Sequence, residues 1–443
     1  MTNRSTVLML CRRRSLFFAA MALIGCAQPS PQNSPHDSAL RATAAAGPTT
    51  AKAASVATTR PFDPNAQAKS VEEYLARAPR LRLLYSQPST RWPKPTLDAG
   101  IEQREIGRLP EPKFPADNPY SKEKEALGKQ LFFDPRLSGS GQIACASCHD
   151  PDLSWADGRT VSFGHNREAL KRNAPSIQFA AFAKFLFWDG RASSLEEQFH
   201  GPVESAQEMA GNGDVIVKRL SAVKEYREQF KAVFGTDEIT MAEASKAVAT
   251  FERSIATLAG RSKFDKFLQG DPKALSDAAV RGLHIFRTSG RCMNCHNGPT
   301  FSDDQFHNLG LTYFGRSLQD LGRYEVTKDP KDVGRVKTPI LRNVGRTRPY
   351  MHNGLFELSG LIAAYNNGMP RIAETPSAAT QKNNPLYPVK DKLLKPLGLG
   401  SLEREDLLAF LQSLDEPPLR IRPPTLPGIA SGGNASVDAG NAK

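Results

Sequence analysis

Two stretches of the chain repeat one pattern of small and hydrophobic positions. In each, a serine suited to the N-cap position precedes a helix-forming run in which a glycine stands four residues before a phenylalanine. The residues are Ser121, Gly128 and Phe132 for the helix predicted over 122–132, and Ser276, Gly282 and Phe286 for that over 277–286. Residues four apart share one helix face, and glycine lets a second helix approach closely. We therefore predict two equivalent helices, and an internal duplication explains them economically.

Further apolar periodicities predict more helices, and alternating strand patterns are scarce. Thr240 and Glu243 have capping-box spacing, and apolar residues follow at helical spacing: Ala244, Val248, Phe251, Ile255 and Leu258. Ser401 precedes a leucine-rich helix predicted over 402–414, and a short helical stretch is predicted near 71–76. The fold class predicted from these patterns is mainly α.

A prediction of bound haem comes from two Cys-x-x-Cys-His motifs, each of which directly follows one of the repeated helices. They are Cys145, Cys148 and His149, and Cys292, Cys295 and His296. In this motif the two cysteines form thioethers to the porphyrin and the histidine binds the iron. The cofactors predicted from the sequence are therefore two covalently bound c-type haems.

Composition divides the chain into six predicted segments. They are 1–26, a signal peptide with a lipobox; 27–62, a flexible linker; 63–118, an N-terminal arm; 119–269 and 270–422, an N-terminal and a C-terminal cytochrome c-like domain, each with one covalently bound haem; and 423–443, a disordered tail. The linker is rich in Ala, Ser, Thr and Pro, and the tail in Pro, Gly, Ala and Asn.

The N-terminus resembles a bacterial export signal. Basic residues 12–14 precede a short apolar run, and Cys26 follows it in a lipobox-like string. We expect a periplasmic protein that is anchored to a membrane only through a lipid on Cys26; a plain secretory signal is the alternative. The other cysteine outside the haem motifs, Cys11, lies in the signal, so no cysteine is left for a disulfide.

The formal charge of +12 does not indicate a nucleic-acid partner. Four of the positive charges lie in the predicted signal segment, and four haem propionates would bring the remaining charge down to about +4. An acidic redox partner stays compatible with this balance.

Five further strings accompany the haem motifs. They are LFFDPR at 131–136, RNAPS at 172–176, FWDGR at 187–191, KTPILRNV at 337–344 and PYMHNG at 349–354. In this order, over about residues 119–416, the set resembles the bacterial di-haem cytochrome c peroxidase family, which includes MauG. The resemblance implies a peroxidatic haem with proximal ligand His149 and an electron-transfer haem with proximal ligand His296.

The resemblance also assigns residues around the first haem. Glu208 would be the distal carboxyl group that assists O–O cleavage, with Gln198 and Pro202 lining the same pocket; Glu204 is the competing carboxylate. His165 matches a histidine that, in many family peroxidases, ligates the distal side of this haem until the second haem is reduced. The alternative for His165 is a polar loop histidine.

Trp188 matches a tryptophan that lies between the two haems in this family and passes electrons between them; its alternative role is core packing. The resemblance places an inter-domain calcium ion at Asn173, Thr347 and Pro349, through oxygen ligands.

The sixth ligand of the second haem separates branches of the family. The peroxidases that accept electrons from small cytochromes or cupredoxins have a methionine where this chain has Asn366, whereas MauG has a tyrosine that aligns with Tyr365. We expect Tyr365 as the ligand. The alternatives are a Tyr365 that only packs beside a haem with open or other coordination, and the thioethers of Met369 and Met351.

The function implied is reduction of hydrogen peroxide to water with electrons from a periplasmic donor of cytochrome c or cupredoxin type. The MauG-like alternative oxidises residues of a partner protein, and a non-catalytic di-haem electron carrier is a third reading. A homodimer is compatible with the sequence.

Overall fold

The computed structural model describes residues 62–370 and 384–428. The predicted signal peptide with Cys26, the linker up to residue 61 and the tail from residue 429 lie outside the described residues. The helices are α1 Val71–Leu75, α2 Ala78–Tyr85, α3 Lys122–Phe133, α4 Leu195–Glu204, α5 Gly213–Ser221, α6 Lys224–Phe234, α7 Met241–Thr257, α8 Lys263–Leu268, α9 Asp277–Arg287, α10 Tyr324–Thr327, α11 Leu358–Asn366 and α12 Ser401–Gln412. Two short strands, β1 Phe306–His307 and β2 Val336–Lys337, pair antiparallel.

The mainly α prediction agrees with these elements, and the repeated helices begin where their serines predict. Ser121 accepts a hydrogen bond from the backbone N–H of Lys124 at the start of α3, and Ser276 accepts one from Ala279 at the start of α9. These caps satisfy donors that the first helical turn leaves free.

The two repeated helices also pack in the same way. Gly128 of α3 lies against the backbone of Ala247 in α7, and Gly282 of α9 lies against the backbone of Asp406 in α12; a Cβ at either glycine would overlap a carbonyl oxygen. Because only glycine permits this approach, the predicted role of both glycines in close helix packing is confirmed.

Each helix pair is the centre of a hydrophobic core. In the first core Phe132 of α3 meets Phe251 of α7 with ring centroids 5.4 Å apart. In the second core Phe286 of α9 meets Phe410 of α12 at 5.3 Å. The repeated sequence pattern therefore corresponds to a repeated structural unit, and the division into domains at residue 270 stays a prediction.

Three helix predictions need correction. The segment 63–118 contains a second helix, α2, whose buried Leu81 and Tyr85 belong to the second core. Polar residues lie between its apolar positions, so the buried face of α2 was not predicted from the sequence. The helix α12 begins at Ser401, one residue before the predicted start at 402, and the N–H of the preceding Gly400 bonds to the side chain of Glu403 at 2.8 Å. That helix ends at Gln412, short of the predicted 414.

The capping prediction at Thr240 is confirmed in part. Its side chain accepts a hydrogen bond from the N–H of Glu243 at 3.1 Å, but the Glu243 carboxylate accepts from the Thr240 hydroxyl instead of the backbone.

Segments before α3 and after α12 also contribute to the two cores. Trp92 and Ile106 of the predicted arm join the second core, whereas Leu419 and Ile421 pack against the first. Within the described ranges, no helix is both long and apolar enough to traverse a bilayer.

Candidate active site

Both Cys-x-x-Cys-His motifs fold into the same turn. Each begins with a short 3₁₀ turn, and the backbone N–H of the histidine donates to the carbonyl of the first cysteine, at 3.0 Å for His149 and 2.8 Å for His296. The thiols of Cys145, Cys148, Cys292 and Cys295 form no disulfides. The turns therefore bring each pair of thiols next to an imidazole.

Each of these imidazoles is oriented by a backbone carbonyl group. Nδ1 of His149 lies 3.1 Å from the carbonyl oxygen of Trp155, and Nδ1 of His296 lies 2.8 Å from that of Phe301. Burial lowers the pKa of both histidines and so favours the neutral ring. A neutral ring that donates through Nδ1 leaves the lone pair of Nε2 free for a metal, as an iron ligand requires.

A continuous cavity of about 1140 Å³ connects the two motifs. It exceeds the roughly 300–1,000 Å³ of ordinary small-ligand pockets. His149 and Cys148 line one part of it, and Cys292, Cys295 and His296 line another. Burial raises the pKa of Cys145 and of Cys292 to about 12, which is tolerable for thiols that become uncharged thioethers. The cavity and its donor atoms fit two large, mainly apolar macrocycles.

The predicted distal residues line the same cavity as His149. Gln198 and Pro202 project from α4, and Glu208 follows in the next loop. Burial raises the pKa of Glu208, and the nearby Arg191 partly offsets this shift. Glu204 does not line the cavity, because it is exposed and bonds to His200 at 2.9 Å. Of the two candidate carboxyl groups, that of Glu208 therefore lines the cavity and that of Glu204 does not.

His165 is fixed to the distal loop but does not line the cavity. Its backbone N–H lies 3.0 Å from the carbonyl oxygen of Gln207 and 2.7 Å from that of Glu208. The chains approach so closely that a Cβ at Gly164 would overlap the Gln207 carbonyl. Nδ1 of His165 is buried without a partner in the described part of the chain. Ligation of iron by His165 stays a prediction.

Trp188 is held by backbone groups from both halves of the molecule. Its indole N–H donates to the carbonyl of Asn173 at 2.9 Å, and its own carbonyl accepts from the N–H of Lys337 at 2.8 Å. The ring lies 6.2 Å from that of His352 and lines the cavity between the two motifs. This position suits the predicted bridging role.

An ion-pair network surrounds this tryptophan. Arg172 binds Asp189, the residue after Trp188, at 2.5 Å and Asp320 at 2.7 Å. Asp320 belongs to the second half of the chain, so the network fixes the loops that face each other across the cavity.

The three residues of the predicted calcium site line the same cavity. Asn173, Thr347 and Pro349 all line it. The Asn173 side-chain N–H donates to the carbonyl of Arg159 at 2.7 Å, and this orients its oxygen as the remaining ligand atom. Carboxylates are not part of this set, and calcium stays a prediction.

Among the described residues, one group of three metal-binding side chains occurs elsewhere: Cys295, Asp303 and His307. His307 lies 2.9 Å from Asp303 and 2.6 Å from Asp391, and these carboxylates raise its pKa to about 12. A protonated imidazole offers no lone pair, so this group is an ion-pair cluster rather than a metal site.

The three candidates for the sixth ligand of the second haem differ in position. Tyr365 and Met351 line the cavity. Burial and the nearby Cys295 and Cys292 raise the pKa of Tyr365. Met369 does not line the cavity; it is buried beyond the end of α11 in a cluster with Leu311 and Met351, against which Tyr365 also packs. The geometry retains the first two candidates and disfavours Met369.

Two charged residues of the cavity wall were missed in the sequence. Glu252 of α7 is enclosed, and burial raises its pKa to about 8; its place four residues after Val248, on the apolar stripe, was the available signal. Lys337 begins the string at 337–344, and burial lowers its pKa.

Comparison with known proteins agrees with this geometry. Residues 122–273 match a family model described as di-haem cytochrome c peroxidase. The cytochrome-c peroxidase IdrP1 of Pseudomonas sp. (strain SCT) is 39% identical over 354 residues, which cover 73% of this chain and 89% of the relative. The methylamine utilization protein MauG of Methylorubrum extorquens is 37% identical over 316 residues, 71% of this chain and 84% of the relative.

A solved structure is also similar. It is described as a MauG-like protein associated with microbial copper homeostasis, and it aligns with a TM-score of 0.63 and 33% identity. The alignment covers 72% of this chain and 96% of the solved one.

Proposed function

The chain belongs to the di-haem cytochrome c peroxidase and MauG family, and from this premise we propose that it reduces hydrogen peroxide to water at the part of the cavity next to His149. Membership of the family makes the protein an oxidoreductase with haem cofactors. We propose that two haems are held covalently, through Cys145, Cys148 and His149 and through Cys292, Cys295 and His296. A bound haem supplies an iron that binds peroxide or carries electrons.

The observation that carries the proposal is the position of Glu208. Its partly buried carboxyl group lines the same cavity as His149, and burial raises its pKa, which favours the protonated form. Cleavage of the O–O bond requires a proton to move from the inner to the outer oxygen of peroxide, and a carboxyl group within hydrogen-bond reach can transfer it. Gln198 and Pro202 shape the same wall and limit the water around the reacting oxygens.

Electrons reach this site through the other half of the cavity. Each peroxide takes up two electrons and two protons and leaves as two water molecules. We place electron entry near His296, with a small cytochrome or cupredoxin as the donor, and we assign Trp188 the passage between the sites. Its hydrogen bonds to backbone groups on both sides hold the indole in one orientation, which keeps the transfer distance constant.

A lipid-anchored periplasmic location through Cys26 and a calcium ion at Asn173, Thr347 and Pro349 complete the proposal. The three calcium candidates line the same cavity, and one of them, Asn173, accepts the hydrogen bond of the Trp188 indole. An ion there would stiffen the loops that position the indole.

A MauG-like reaction, the oxidation of residues in a partner protein, is the second candidate. Its support is Tyr365, which faces the cavity where a thioether ligand would otherwise be expected. A phenolate ligand lowers the potential of a haem, whereas a thioether raises it. A low potential would favour oxidation of a partner over uptake of electrons from a small cytochrome.

The proposed function is tested by steady-state consumption of hydrogen peroxide with reduced cytochrome c as donor. Glu208→Gln should lower the turnover rate by about 10²–10⁴-fold, because the amide cannot transfer the proton. Glu204→Gln is the matched control, since Glu204 is exposed and bonds to His200, and it should leave the rate unchanged. Equal rates for Glu208→Gln and the wild type would contradict the proposal.

A further inference from the structure

Lys337 is a partly buried lysine on the wall of the cavity. It lies in β2, opposite Phe306 of β1 in the strand register, and it lines the part of the cavity that also contains His296. Within residues 62–370 and 384–428 its ammonium forms neither a hydrogen bond nor an ion pair. Burial is the main cause that lowers its pKa.

The other basic side chains of the cavity wall are either paired or exposed. Arg172 and Arg191 bind Asp189, Arg291 and Lys395 bind Asp98, Arg342 binds Asp265, and Lys171 is exposed to solvent. His307, the protonated imidazole, lies between two carboxylates. Lys337 therefore differs from all of these in the described part of the wall, since it faces the cavity with its charge unmatched.

The nearest acidic residues do not pair with Lys337. Asp303 and Asp304 are close enough to raise its pKa slightly, but Asp303 is bound to His307 at 2.9 Å. Asp304 accepts a hydrogen bond from the backbone N–H of Lys184 at 3.3 Å. Moving an ammonium group out of water is costly unless an anion compensates it. An anion bound in the cavity would compensate this charge.

The backbone around Lys337 is rigidly held, so the ammonium has a defined reach. The N–H of Lys337 donates to the carbonyl of Trp188 at 2.8 Å, and the next residue, Thr338, donates to the carbonyl of Gln305 at 2.9 Å. The Ser302 hydroxyl donates to the carbonyl of Thr338 at 2.8 Å. This segment thus connects the bridging tryptophan to the loop that follows the second haem motif.

We propose that Lys337 is the anchor for a carboxylate of the haem held by Cys292, Cys295 and His296. The inference rests on the proposed function, because it needs a haem at the second motif. A porphyrin carboxylate enters the cavity together with the macrocycle and matches the ammonium in charge and hydrogen-bonding capacity. The pair fixes the orientation of the ring and removes one negative charge from its edge, which raises the reduction potential of that haem.

The test is an optical redox titration of the holoprotein, which reports the potential of each haem. Lys337→Gln should lower the potential of the second haem by at least the equivalent of a tenfold change in equilibrium constant, about 59 mV for one electron. Lys337→Arg keeps the charge and should restore most of the wild-type potential. Lys395→Gln is the charge-matched control: this lysine also lines the cavity, but it is 55% exposed and solvent screens its charge.

An infrared measurement identifies the anion. Haem labelled with ¹³C at its carboxyl groups should show a redox-linked carboxylate band that moves in Lys337→Gln and stays in Lys395→Gln. A band that does not move, together with a wild-type potential that depends on chloride concentration, would assign the ammonium to a solution anion and overturn the inference. An unchanged potential in Lys337→Gln would overturn it as well.

These outcomes are separate from a failure of the proposed function. The haem content of the purified wild type is measured first by its alkaline pyridine spectrum. A protein with no haem at the second motif would contradict both proposals, whereas two haems and an unchanged Lys337→Gln potential would contradict only the anchor.

Discussion

Gly282 of α9 lies directly against the backbone carbonyl of Asp406 in α12, with no space for a Cβ between the two helices. The alanine variant Gly282→Ala must separate the helices or distort them, and overpacking of this kind costs about 1–3 kcal/mol of unfolding free energy. We expect a loss of this size in denaturant unfolding followed by circular dichroism. Gly360→Ala in α11 is the control, because nothing lies within 4 Å of its added Cβ; it should stabilise the protein by about 0.5–1 kcal/mol. Equal stability of both variants would refute this account of the helix packing.

The decrease in the free energy of unfolding at acidic pH should depend on His284. Burial, and secondarily the charge of Arg77, lower its pKa from 6.5 to about 4, and its Nδ1 lies 2.8 Å from the Tyr85 hydroxyl. Arg287 also opposes protonation, and Asp63 favours it. Because the pKa is lower in the folded state, the stabilisation is complete above pH 6.5 and is lost as the pH falls towards 4.

The size of this effect follows from the shift, roughly 3 kcal/mol between pH 7 and pH 4. His284→Gln keeps a side chain that can accept from Tyr85 and removes the titration, so its unfolding free energy should fall less steeply over this range. Denaturant midpoints measured at intervals from pH 7 to pH 4 give both slopes. Parallel slopes for the variant and the wild type would show that His284 does not contribute.

Replacement of Trp188 should uncouple the two halves of the cavity. Trp188→Phe removes the hydrogen bond to Asn173 and shrinks the aromatic ring, and we expect donor-dependent turnover to fall by about tenfold, an increase of about 1.4 kcal/mol in the barrier. The rate of the first reaction with peroxide, followed by rapid mixing, should stay near the wild-type value.

The matched control for this variant is Trp92→Phe. That indole is buried and, like Trp188, donates to a backbone carbonyl, that of Gln87 at 2.8 Å, but it does not line the cavity. If both variants lose turnover equally, the effect comes from packing and the bridging role is wrong.

Replacement of Tyr365 and replacement of Met369 should give different results in a redox titration followed by absorption and EPR spectra, and the difference tests which residue is the sixth ligand of the second haem. Because Tyr365 faces the cavity, Tyr365→Met should raise the potential of the second haem and change its spectrum. Met369→Leu should change neither, since Met369 packs with Leu311 and does not line the cavity. A spectrum altered by Met369→Leu and insensitive to Tyr365→Met would instead assign a thioether ligand. A gain of peroxidase activity in Tyr365→Met would favour a MauG-like wild type.

Local patterns in the sequence predict much of the fold. A capping serine and a Gly–Phe pair at helical spacing are short-range signals, and they gave the starts of α3 and α9 and their close packing. The helix α2 was not predicted, because its mixed face becomes buried only against α9, which is distant in the chain. Long-range packing of this kind is not encoded in the periodicity of one segment.

In the candidate site, too, some features could be predicted from local sequence and others depend on the folded structure. The haem motifs are contiguous and could be identified from the sequence, whereas the difference between Glu208 and Glu204 depends on which of them faces the cavity. Glu252 and Lys337 attract attention only when their burial is known, because Glu and Lys are usually exposed.

The most direct test of the central claim is the stoichiometry of peroxide consumption with reduced cytochrome c as donor. If the protein reduces hydrogen peroxide to water next to His149, two molecules of donor should be oxidised for each peroxide consumed, without release of oxygen, and Glu208→Gln should slow the reaction by about 10²–10⁴-fold. Peroxide loss without donor oxidation, or no loss with any reduced donor, would contradict the account.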